Sequence, residues 1–78
     1  MPSPVELVAS IVKNLVDRPE NVESRWLEAE RTVELNVLPG DRGKVIGRRG
    51  KTIDSLRILA SAVFANPGER IDVKLREE

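Results

Sequence analysis

Seventy-eight residues, 40% apolar and 33% charged, make one small folded domain with no room for a second core. The chain has no cysteine and no histidine, which excludes disulfides and thiolate metal sites and removes the commonest general base. Thirteen basic and thirteen acidic residues leave no net charge.

In chain order, Ser3-Pro4-Val5-Glu6 reads as a helix start: Ser3 as cap, Pro4 at the first helical position, Glu6 where a capping-box carboxylate reaches back. Leu7, Val8, Ile11, Val12, Leu15 and Val16 repeat at helical spacing, and Pro19 should stop the helix soon after Asp17. Val22 to Leu27 predicts a strand with Val22, Ser24 and Trp26 on one face, and polar Glu28 to Arg31 a hairpin turn without the usual Gly or Asn. Thr32 to Val37 alternates cleanly, with Val33, Leu35 and Val37 inward, and Pro39-Gly40 ends the strand. Asp41 can cap a short helical turn running to Ile46. After Gly50 a second long helix should reach about Ala65. Its apolar face carries Ile53, Leu56, Leu59, Ala60, Val63 and Phe64, and Lys51, Asp54, Arg57 and Ser61 face outward. Asn66-Pro67-Gly68 turns the chain, and Ile71, Val73 and Leu75 alternate with polar residues in a last strand. The expected architecture is α+β, with helices on one face of a three-stranded mixed sheet. The strands on either side of the helical crossover can pair in parallel.

The charge is segregated. Met1 to Pro39 carries 4 basic and 7 acidic residues, Gly40 to Ile58 carries 6 and 2, and Leu59 to Glu78 carries 3 and 4. A polyanion responds to the local field of the middle segment more than to the neutral total. That segment contains Gly47-Arg48-Arg49-Gly50-Lys51-Thr52, whose last three residues resemble the end of a nucleotide-triphosphate loop. Such a loop needs a glycine five positions before Gly50, and Val45 stands there. A chain this short also lacks the surrounding nucleotide-binding domain. The dinucleotide pattern G-x-G-x-x-G does not occur. The alternative is a backbone clamp. Two glycines let phosphates approach the main chain, the N–H groups opening the next helix are unpaired, and Arg48 and Arg49 add charge and donors. A clamp of this kind holds a sugar-phosphate backbone without reading sequence.

Gly43 to Ile53, with Val45-Ile46-Gly47-Arg48-Arg49-Gly50-Lys51-Thr52-Ile53 inside it, resembles the signature of the KH domain, V-I-G-x-x-G-x-x-I. The element order from first helix to last strand resembles the type II, prokaryotic form, and the chain is similar to the small single-domain bacterial RNA-binding family called KhpA. KH domains clamp about four nucleotides with this loop. The resemblance implies that Gly47, Arg48, Arg49 and Gly50 hold phosphates. Val45 and Ile46 would form an apolar floor with Ile53 beyond it, and Asp72, Val73 and Lys74 would close the groove. Lys44, Lys51 and Arg57 would add attraction at the rim. On the residues alone, Val45 and Ile53 read first as core, and Arg57 could simply pair with Asp54 three positions away. With Trp26 and Phe64 the only aromatics, stacking is not the expected mode of recognition.

The expected ligand is therefore single-stranded RNA, with single-stranded DNA also admitted, and no cofactor or metal is implied. The resemblance further implies a homodimer, or a heterodimer with a second KH-containing protein, and a role in post-transcriptional regulation or as an RNA chaperone. Trp26, Leu27 and Leu38 are the sequence's candidates for an interface. The rival reading is an adaptor or dimerisation module with little RNA affinity of its own. Catalysis is disfavoured, because Glu20, Glu23, Glu28, Glu30 and Glu34 fall on turns or polar strand faces. No run reaches membrane-spanning length and nothing near the start reads as a signal peptide, so a cytoplasmic location is expected.

Overall fold

The computed structural model describes residues 3–77. Helix α1 spans Pro4–Lys13, strands β1 and β2 span Glu23–Leu27 and Thr32–Asn36, helix α2 spans Arg42–Ile46, helix α3 spans Lys51–Phe64, and strand β3 spans Asp72–Leu75. The order is that of the type II KH fold, as expected. β1 pairs antiparallel with β2, and β2 pairs parallel with β3 in the register Val33 to Val73 and Leu35 to Leu75. β3 is thus an edge strand.

The helices cover one face of the sheet. Val8 and Val12 of α1, Val45 of α2, and Ile53, Leu56 and Ala60 of α3 bury against Val33, Leu35, Val37, Ile71 and Val73. The helix-free face is charged: Arg25 and Arg76 flank Glu34, and Lys74 pairs with Glu30. The hairpin between β1 and β2 finds its left-handed residue in Arg31, φ 46°, a position the sequence left without Gly or Asn. Arg31 stays there with its guanidinium 5.7 Å from the centre of the Trp26 ring.

Two local expectations are corrected. Ser3 does cap α1, its hydroxyl accepting the Glu6 N–H at 3.1 Å. The helix ends at Lys13, however, well before Asp17, because Asn14 turns its side-chain amide back onto the Ser10 carbonyl. Asp41 does not cap α2 with its side chain. Its buried carboxylate instead accepts the N–H groups of Asp17 and Arg18, both at 3.2 Å, and so fixes the segment that leaves α1. A long-range pair of donors outcompetes the local cap.

Candidate nucleic-acid interface

α2 ends on Gly47, whose φ of 77° and ψ of 175° lie in a region essentially reserved for glycine. Arg48 to Gly50 then form a single tight turn in which Arg49 (φ 57°, ψ 26°) and Gly50 (φ 74°, ψ 12°) are both left-handed. A right-handed residue followed by a left-handed one swings successive N–H groups to the same side, a concavity suited to anions. Two of the amides that the sequence leaves open at the mouth of α3 have partners: Gly50 donates to the Gly47 carbonyl at 3.2 Å and Lys51 to that of Arg48. The left-handed pair folds the chain back on itself and leaves the Arg48 and Arg49 side chains at the exposed tip of the turn.

The cations divide in the same way. Arg48, Arg49 and Lys51 are exposed, and among the described residues none of them pairs with a carboxylate. Lys44 is engaged by Asp17 at 2.5 Å and approaches Asp41 at 3.7 Å. The hydrogen bond to Asp17 raises its pKa above the ordinary lysine value. Lys74 lies on the helix-free face of the sheet with Glu30, at 3.2 Å. Of the expected apolar floor, Ile46 is exposed immediately before the loop, whereas Val45 and Ile53 lie in the core beneath it. Val73 is also fully buried, its backbone covered at the groove by Asp72 and Arg57.

Arg57 and Ser61 do not face solvent as the helical pattern suggested. Both turn onto the free edge of β3. Arg57 Nε donates to Asp72 at 2.6 Å and to the Val73 carbonyl at 3.1 Å, and its terminal nitrogen holds Asp54 at 2.6 Å. The pairing weighed for Arg57 with Asp54 therefore exists, together with one to the last strand that the sequence did not suggest. A shallow cleft of about 280 Å³ beside this cluster is lined by Arg57, Ile58, Ser61 and Arg70. Nothing in the local sequence marks Arg70 as part of it; the turn after α3 carries it there. Leu59 and Val63, expected inside, are 40% and 48% exposed, and Ile58 is 71% exposed. α3 shares the sheet with α1 and α2 and buries Ile53, Leu56 and Ala60, with Phe64 packed against the core, so Ile58, Leu59 and Val63 form an apolar outer face on α3.

Comparison with known proteins agrees with this geometry. The KH-domain family described as KhpA/KhpB matches residues 5–75. The RNA-binding protein KhpA of Chlamydia muridarum is 41% identical over 75 residues, covering 94% of this chain and 96% of its own length. Its namesake in Borreliella burgdorferi is 37% identical over 73 residues, with 91% and 89% covered. That of Streptomyces coelicolor is 41% identical over 70 residues, with 87% of each covered. No solved structure is a significant match. The matched span runs from α1 through the Gly47–Gly50 turn to β3, and the chain belongs to the KhpA/KhpB family of KH domains.

Proposed function

We propose that this protein is a non-catalytic single-stranded RNA-binding domain that grips about four nucleotides through the Gly47–Gly50 turn and the groove beside it. The observation that carries the reading is three exposed cations, Arg48, Arg49 and Lys51, gathered on the glycine-flanked turn with no carboxylate partner among the described residues. Gly47 and Gly50 permit close approach of the phosphates, and Ile46 supplies apolar contact. Asp72, the Val73 backbone and Arg57 line the opposite wall, with Val45 and Ile53 supporting the turn from the core. The relatives' printed name, RNA-binding protein, favours RNA over DNA. A cytoplasmic post-transcriptional regulator or RNA chaperone is the biological role that fits such a module.

Association is the finer part of the reading: a homodimer, or a heterodimer with a second KH-containing protein. The outer face of α3 favours it more than the sequence's candidates do, since Trp26 and Leu27 are half-buried and Leu38 stands alone. Two weak clamps on one strand would raise avidity.

Fluorescence anisotropy with labelled uridine octamers tests the reading. The double variant Arg48→Asp/Arg49→Asp should lose at least tenfold in affinity while melting like the wild type. Undiminished RNA binding by that folded variant would leave the adaptor reading in its place. Crosslinking in cells followed by RNA sequencing, wild type against the same variant, identifies the targets.

A further inference from the structure

One side of β3 pairs with β2; the other presents the N–H and C=O groups of Ile71 and Val73 to the groove. An unpaired strand edge is a row of open donors and acceptors. Here side chains fill it. Ser61 Oγ accepts from the Ile71 N–H at 2.8 Å and donates to the Ile71 carbonyl at 3.1 Å. At Val73 the filling is different. Its N–H donates to Oδ1 of Asp72 at 2.8 Å, and the same oxygen receives Arg57 Nε at 2.6 Å. One carboxylate oxygen thus takes two converging donors.

We infer that this oxygen stands in for the exocyclic carbonyl of a nucleobase, and that Asp72 is a built-in competitor which the base displaces. The inference rests on the RNA-binding reading and names the chemistry read at one position of the groove. The Asp72 side chain is 49% exposed, so rotation carries its carboxylate into water at little cost. Arg57 remains held by Asp54 through its terminal nitrogen and by the Val73 carbonyl, which shares the Nε–H at 3.1 Å, when Asp72 leaves, so Nε stays beside the Val73 N–H. A carbonyl oxygen has two lone pairs and accepts both donors, whereas a ring nitrogen has one. Uracil, cytosine and guanine carry such an oxygen and adenine does not. Arg57 follows Lys51 by six residues on α3, about 9 Å at the helical rise, within reach of a strand held at the turn. A base that cannot replace both bonds leaves Asp72 in place. The competitor therefore lowers affinity in general and sharpens discrimination against adenine.

Labelled octamers of uridine, cytidine and adenosine, titrated against wild type, Asp72→Ala, Asp54→Ala and Asp72→Ala/Arg57→Gln, test this. Asp54→Ala removes a negative charge beside the same guanidinium but leaves Val73 occupied, so it reports the gain in charge without release of the Val73 N–H. Asp72→Ala should strengthen uridine and cytidine binding by about fivefold more than that control, the size of one net hydrogen bond, and adenosine binding no more than the control. The double variant should lose the excess. If Asp72→Ala melts prematurely, Asp72→Asn keeps the shape and should show a smaller gain with the same base order. A gain equal for all three octamers, or equal to that of Asp54→Ala, overturns the inference while leaving the RNA-binding reading intact. Retention of uridine binding by Arg48→Asp/Arg49→Asp sinks that reading instead.

Discussion

Gly47 packs directly against Thr52: a Cβ built on Gly47 would stand 2.1 Å from Thr52 Oγ1, 2.6 Å from its Cβ and 2.9 Å from its backbone nitrogen. The first turn of α3 is therefore seated on the bare main chain that precedes the loop. The left-handed φ at Gly47 imposes the same residue independently.

Gly50 shares the positive φ but has open space where a Cβ would go. Gly47→Ala should cost about 2–4 kcal/mol, from backbone strain and a clash with main-chain atoms that truncating Thr52 cannot relieve. Gly50→Ala should cost about 1 kcal/mol, from φ alone. Urea unfolding of the two variants checks the ranking; equal costs would contradict the contact.

RNA affinity should fall with salt. If about three phosphates are neutralised by Arg48, Arg49 and Lys51, the slope of log K against log salt is about −2, roughly a twentyfold loss between 50 and 200 mM. Lys51→Ala should flatten the slope by less than one while lowering affinity for all octamers alike. A slope near zero would exclude an electrostatic grip.

Asp41→Ala should destabilise the fold by about 1–3 kcal/mol, because the N–H groups of Asp17 and Arg18 lose a part-buried acceptor. Asp41→Asn, which retains one oxygen, should recover part of the loss. Thermal melts of the two variants decide it, and a silent alanine substitution would mean that water replaces the carboxylate without cost.

Stability and RNA affinity should both be flat from about pH 6 to 9, since the chain contains neither histidine nor cysteine. Lys44 runs the same way. Lys44 has its pKa raised in the folded state by the bond to Asp17, so its contribution is fully present below the ordinary value of 10.5 and is lost only as pH rises through the higher folded value. Melting and anisotropy across that range provide the check; a step near neutrality would point to the α-amino group rather than to a side chain.

The outer face of α3 should mediate association. Ile58→Asp places a charge on the most exposed large apolar side chain among the described residues and should shift light scattering at high micromolar concentration toward monomer, with the melting temperature little changed. A wild type that is strictly monomeric under those conditions removes the proposal.

The element order, the buried alternation of Val33, Leu35 and Val37, and the Gly47–Gly50 turn were all legible in the sequence. Each rests on a short-range rule: a two-residue or 3.6-residue period, or a φ that only glycine accepts freely. Where partners lie far apart in the chain, local rules had no purchase. Asp41 reads as a helix cap until the end of α1 arrives with two better donors, and Arg57 and Ser61 read as solvent-facing until β3 docks beside them. Leu59 and Val63 read as core because periodicity marks an apolar face without saying how wide a neighbour will cover it. The sequence by itself determined where a phosphate backbone can be gripped, since that needs only glycine and charge in a row. Only the tertiary structure decided which side chains wall the groove and which cations stay without a carboxylate, because those depend on which donors and acceptors have already found each other.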